Sequence, residues 1–159
     1  MAYDYLRSLR ELVGSRKLIH PAARIIIENP RGEILLLRRV DNDQWGLIAG
    51  GLEEGESITQ CIVREAKEET GLDLHQVEAI GISTRPEQET VSYPNGDVVQ
   101  YFTVVFHCRD WSGDLLDRSE EAKELRFFAF AELPTLPPNE APSIQWWRHW
   151  RAGGGFQLD

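Results

Sequence analysis

The chain has 159 residues, 42% hydrophobic and 27% charged, with a net charge of −9. That length suits a single domain whose core needs no disulfide or structural metal. The acidic balance argues against gripping a nucleic-acid backbone, which needs clustered Lys and Arg. It leaves room for a small anionic substrate, because a bound divalent cation reverses the local field. Cys61 and Cys108 form no CxxC pair and have no His at zinc-like spacing, so they read as buried or neutral thiols in a reducing compartment. The opening MAYDYLRSLRELVG has no apolar stretch of the kind a signal peptide carries, and no run approaches the roughly 20 apolar residues of a membrane helix. A cytoplasmic protein with no membrane partner is expected.

Taken in order, Tyr5, Leu6, Leu9, Leu12 and Val13 recur at helical spacing, and the pattern predicts an amphipathic helix over about 3–14, stopped by Gly14. Its apolar stripe is expected to pack on a sheet or to serve as a homodimer contact. Residues 22–28 and 33–38 are apolar and β-rich around the turn signal Asn29-Pro30-Arg31-Gly32, so they read as a hairpin. A strand is expected over 77–84, and Pro94-Asn95-Gly96-Asp97 marks a tight turn before a long β run over 98–108. Another strand is expected over 124–130, then a closing helix over about 143–151 whose three tryptophans pack, and GGGFQLD as a loose tail. One helix set among strands, with a helix at each end, argues α+β with a mixed sheet.

Residues 50–72, GGLEEGESITQCIVREAKEETGL, hold the chemistry. Ser57 and Gln60 make a capping box and Gly71 a C-terminal stop, so 57–70 is a helix. With about 100° per residue and Ile58 as zero, Glu65, Glu68 and Glu69 share an arc of about 100°. Ile62, Val63 and Ala66 gather between about 40° and 140°, an apolar face beside the acidic one. Three carboxylates so close repel unless something positive joins them. A hard divalent cation does this, and oxygen ligands suit Mg2+ or Mn2+ rather than zinc. A solvated acidic face is the plainer reading. Against it, two of the acids sit at the helix C-terminus, where the macrodipole disfavours them.

The spacing Gly50-x5-Glu56-x7-Arg64-Glu65-Ala66-Lys67-Glu68-Glu69-Thr70-Gly71-Leu72 resembles the Nudix box. Trp45-Gly46-Leu47 before it and ELRFF with AELP after it are also similar to that family, over roughly residues 20–135. The resemblance implies a mixed sheet sandwiched between helices and a hydrolase that uses Mg2+ or Mn2+. Its substrate would be a nucleoside diphosphate joined to another group. It implies Glu65, Glu68 and Glu69 as metal ligands, joined by the Gly50 carbonyl, with Arg64 and Glu56 as an ion pair behind them. It also implies a carboxylate base, in the box or on a later loop, where Glu121 is preferred over Glu120. Arg39, Arg85, Trp45 and Tyr93 are candidates for substrate contact. Ile48 and Ala49 stand where the family commonly has Pro-Gly, which puts the conformation of that loop in question. Nucleoside triphosphates, ADP-ribose and nucleotide sugars all stay open. The alternative is a noncatalytic nucleotide-sensing module; loss of the box acids would mark one, and this chain keeps them all.

Overall fold

The computed structural model of the chain describes residues 4–159. The helix expected to begin at Tyr3 runs as α1 (Tyr5–Val13), capped by Asp4; Tyr3 itself lies outside the described residues. In chain order there follow β1 (Leu18–Ile27), β2 (Ile34–Arg39), β3 (Trp45–Gly46), β4 (Ile48–Gly51), α2 (Ile58–Thr70) and β5 (Asp73–Ser83). Next come α3 (Pro86–Glu89), β6 (Thr90–Ser92), β7 (Val98–Ser112), β8 (Ala122–Phe128), α4 (Ala141–Arg151) and β9 (Gln157–Leu158). The larger sheet runs β4-β1-β7-β5-β9, with β6 also on β7; the smaller runs β3-β2-β8. The β1–β7 and β5–β9 pairs are parallel and the rest antiparallel, so the fold is α+β with a mixed sheet.

The expected hairpin of 22–28 with 33–38 is corrected. Only an isolated bridge, Glu28 to Ile34, joins the two runs, and they belong to different sheets. The Asn29 side chain accepts from the Arg31 and Glu33 amides and turns the chain out of the first sheet. β2 then pairs with β8 instead. This explains an unbroken apolar run: Ile34 and Leu36 enter one core while Leu35 and Leu37 enter the other. The first core packs β1, β4 and β7 against Cys61, Ile62 and Ala66 of α2. The second packs Ile26, Ile80 and Val105 against Ile144 and Trp147 of α4. The large sheet therefore lies between helices, as the family resemblance implied.

The tail is also corrected. Rather than hanging loose, β9 pairs with Gly81 and Ile82, and the Asp159 carboxylate accepts from the Thr84 amide at 2.6 Å. The questioned loop before the box is an extended strand: Ala49 lies opposite Arg24, and Ile48 is wholly buried beside α2. Asp43 is the only non-glycine with positive φ among the described residues, so Ala49 sits where any residue can.

The fully buried Glu28 carboxylate fastens α4 to the sheet. It lies 2.8 Å from His107 Nε2, accepts from Trp147 Nε1 at 3.1 Å and faces Arg151 Nε at 3.3 Å. Removing one member of such a cluster strands the others. Glu28→Ala is expected to lower stability by about 3 kcal/mol, read as a reduced urea midpoint with an unchanged slope.

Candidate active site

Local capping sets the rotation of α2. The Ser57 hydroxyl accepts from the Gln60 amide at 3.2 Å, the Gln60 side chain returns a bond to the Ser57 amide at 2.8 Å, and Gly71 ends the helix at φ 81°. The apolar face is wider than the spacing indicates. Cys61 falls at about 300°, inside the acidic arc, yet it is wholly buried, its thiol 3.3 Å from the Gly51 carbonyl. Burial pushes that thiol up to about 12, so it stays protonated and unreactive. The acidic face of α2 is therefore covered by β4 along the part that holds Cys61 and Glu65, while Glu68 stays exposed.

This contact explains Gly50. A Cβ there would fall 2.0 Å from the Glu65 carboxyl carbon, so only glycine leaves room for the acid. Arg64 sits behind both elements. Its Nε and Nη2 clasp Glu56 at 3.0 and 2.7 Å, its Nη2 donates to the Gly51 carbonyl at 3.2 Å, and its Nη1 reaches Glu65 at 2.6 Å and Glu68 at 3.3 Å. One guanidinium thus ties the loop, strand β4 and the helix together through forked, charge-assisted bonds. Side-chain bonding to Arg64 holds Glu56 below its usual carboxylate range.

Glu69 is 3% exposed, and its Oε2 has no hydrogen-bond partner. Burial first, then the charge of Glu121 and a hydrogen bond with its carboxyl, push Glu69 well above the usual range. A bond between two carboxyls requires one to carry the proton. Glu65 is pushed up to about 7, chiefly by burial, with Glu68 and Glu121 adding to it against the pull of Arg64. Glu121 arrives through the small sheet: β2 pairs with β8, and the Val40 amide bonds the Glu121 carbonyl at 2.9 Å. Arg39 stands beside it with its fork closed on Asp41 by two bonds of 2.9 Å, in the fields of Glu121 and Glu140.

Among the described residues, no three His, Cys, Asp or Glu side chains are already gathered around one point. Arg64 draws Glu65 and Glu68 aside. The donor set is nevertheless all oxygen, and the buried, unpartnered Oε2 of Glu69 leaves an acceptor free for a ligand. The residues present fit a hard divalent ion and offer nothing that favours zinc.

Of the remaining candidates, Tyr93 lines a groove of about 760 Å3 that begins at Gly50, Glu65 and Glu121. Trp45 is not part of that lining. It packs edge-on against Phe128 at 4.9 Å with Arg126 over its face. Arg85 is exposed at the start of α3, outside the lining, and its carbonyl accepts from Gln88 and Glu89. Sequence reasoning missed Glu140, buried at the start of α4 beside β3, which accepts from the Leu47 amide at 2.6 Å. It also missed that α1 forms a wall of the groove. No helix among the described residues is long and apolar enough to cross a membrane.

The NUDIX domain family matches residues 18–147. An ADP-ribose pyrophosphatase from Methanocaldococcus jannaschii is 34% identical over 149 residues, covering 91% of this chain and 83% of that protein. The NAD-capped RNA hydrolase NudC of Stutzerimonas stutzeri is 31% identical over 120 residues; the match takes in 74% of this chain but only 40% of NudC, so the chain spans less than half of that relative. A crystal structure of a UDP-X diphosphatase superposes with a TM-score of 0.72 at 23% identity, covering 99% of this chain and 76% of that one. An ADP-ribose pyrophosphatase from Streptococcus suis gives 0.66 at 20% identity, covering 88% and 98%. At these identities the two structures speak for the fold alone. With the box acids, their loop and the helix assembled in one place, and with the family match spanning most of its length, the chain belongs to the Nudix hydrolases.

Proposed function

We propose that this Nudix hydrolase splits the diphosphate linkage of a nucleoside diphosphate joined to a second group, by attack of water at phosphorus. The observation that most supports the reading is the buried Glu69 carboxyl, held against the exposed acid Glu121 with one of its own oxygens left unpartnered. Such a pair is destabilising in an ordinary helix face and useful where a cation and a proton must be exchanged. Glu65, Glu68, Glu69 and the Gly50 carbonyl would hold Mg2+ or Mn2+. When bound, the ion supplies charge neutralisation for the diphosphate and a water of lowered pKa.

The chain's own groups do the rest. Glu121, at the mouth of the groove, accepts the proton of the attacking water. Arg64 keeps Glu65 and the Gly50–Gly51 strand in register through its bonds to Glu56 and Gly51. Arg39, once its fork leaves Asp41, grips a phosphate oxygen and stabilises the departing charge. Small nucleotide diphosphates stand ahead of capped RNA here, since the net charge of −9 repels a long phosphate backbone.

Two expectations follow from the acids. Both Glu65 and Glu69 bind a proton more tightly folded than unfolded, so their contribution to stability is present below the ordinary value of 4.5 and is lost as pH rises, for Glu65 through about 7. The metal-free protein is expected to melt at progressively lower temperature from pH 5 to pH 8, and saturating Mg2+ to flatten or reverse that slope. Gly50→Ala, which drives Glu65 aside, is expected to erase the Mg2+ effect.

In turnover, Glu69→Gln and Glu121→Gln are each expected to lower kcat by about 100-fold or more with Mg2+ saturating. Product release from a panel of nucleoside triphosphates, ADP-ribose and nucleotide sugars reads this. Parent-like turnover by Glu69→Gln, or no cleavage of any diphosphate by the parent, would defeat the proposal.

A further inference from the structure

The groove does not end at the acids. It runs on to α1 on one side and to the β6–β7 turn on the other. α1 is pinned there by contacts far apart in sequence. The Tyr5 amide donates to Glu53 Oε2 at 2.9 Å, so the helix start rests on the loop that carries the box. Arg10 donates to the Val98 carbonyl at 2.9 Å and pairs with Asp97 at 3.5 Å, so the helix middle is held to the turn. The Tyr5 ring stacks on His20 at 5.9 Å, and His20 packs so closely on Gly51 that a Cβ there would lie 2.6 Å from its Nε2. The helix is thus continuous, through packed groups, with the strand beside Glu65.

The chemistry of this far end differs from that of a phosphate site. Tyr93 and Tyr101 meet hydroxyl to hydroxyl at 2.5 Å, and His20 stands edge-on to Tyr101 at 6.3 Å. The carboxylates of Asp4, Glu11 and Glu53 face the same space, while Arg10 is already committed to Asp97 and to backbone carbonyls. Burial lowers the proton affinity of His20, which leaves it uncharged at neutral pH. Arg7 is then the one uncommitted cation among the described residues lining the groove. Aromatic edges and acceptor oxygens suit a ring that offers hydroxyl or N–H donors. They repel a further phosphate, which would meet carboxylates in a space partly closed to water.

Resting on the hydrolase reading above, we propose that α1 closes the groove into a recognition chamber for an uncharged, hydroxyl-bearing group, the sugar or nucleoside attached beyond the diphosphate, and that Tyr93, Tyr101 and Glu11 select such substrates over those ending in another phosphate. A nucleotide sugar or a dinucleoside diphosphate has an uncharged group at both ends and fits whichever way it lies. A nucleoside triphosphate has one such end only.

The test compares kcat/KM for ADP-ribose and UDP-glucose with that for ATP and UTP, using the full chain with Mg2+. The sugar-bearing substrates are expected to lead by about tenfold or more. Tyr93→Ala is expected to weaken use of the better sugar substrate by about tenfold, the loss falling on KM rather than kcat. Glu11→Lys is expected to narrow the gap in favour of the triphosphate. A triphosphate preferred by the parent, or both variants matching its KM values, overturns the proposal while leaving diphosphate cleavage intact. Should no substrate be cleaved, titration with a methylene-bridged ADP-ribose analogue still reads the chamber: weaker binding by Tyr93→Ala upholds it, and parent-like binding by that variant overturns it.

Discussion

The burial of one carboxyl, Glu69, among others of its kind is the constraint on which the rest of the site depends. A charged oxygen without water or partner is costly, and here a second acid, Glu121, lies against it. Nothing in the packing requires an acid at this position: Ile62 and Ala66 supply the helix's hold on the sheet. The neighbouring parts become intelligible as ways of keeping that carboxyl in place. The capping box sets the helix rotation, Gly50 leaves space for Glu65, and Arg64 clamps loop to helix. The small sheet brings Glu121 and Arg39 together from separate parts of the chain.

Much of this was legible in residue spacing. Helix α2, with its caps and its three acids on one side, needs only local rules, because capping and helical repeat act within a few residues. The Arg64–Glu56 pair and the place of Glu121 came from family resemblance, and their geometry now has a physical reason in the shared guanidinium and the β2–β8 pairing. What failed were long-range pairings. The run around Asn29 has every local mark of a hairpin, but the two strands are each buried on both faces and take other partners. The tail has no hydrophobic pattern, and only its docking beside Gly81 and Thr84 gives it structure. The full width of the apolar face was not legible, because a helical wheel shows which residues share a face, not that a glycine-bearing strand will cover Cys61.

α1 shows the same limit from the other side. Its spacing promised a stripe seeking a sheet or a second copy of the chain. In the fold, Leu12 is 83% exposed, and the helix is held mainly by polar groups at strand ends and on the box loop. Its value lies in shape: it turns an open acid site into a groove with a far wall. On the proposed reading, chemistry and selectivity sit on different elements. The acids of α2 are fixed by local structure, and the wall is fixed by contacts across the chain.

If Glu69 and Glu65 hold protons when the site is empty and give them up to a cation, binding must release protons. Calorimetric titration of the full chain with Mg2+ at pH 6.5, repeated in buffers of different ionisation enthalpy, counts them directly. Release of about one proton or more per protein, lost in Glu69→Gln, is the expected result. Binding with no proton release, or no binding at all, would contradict the central role given to the buried acids.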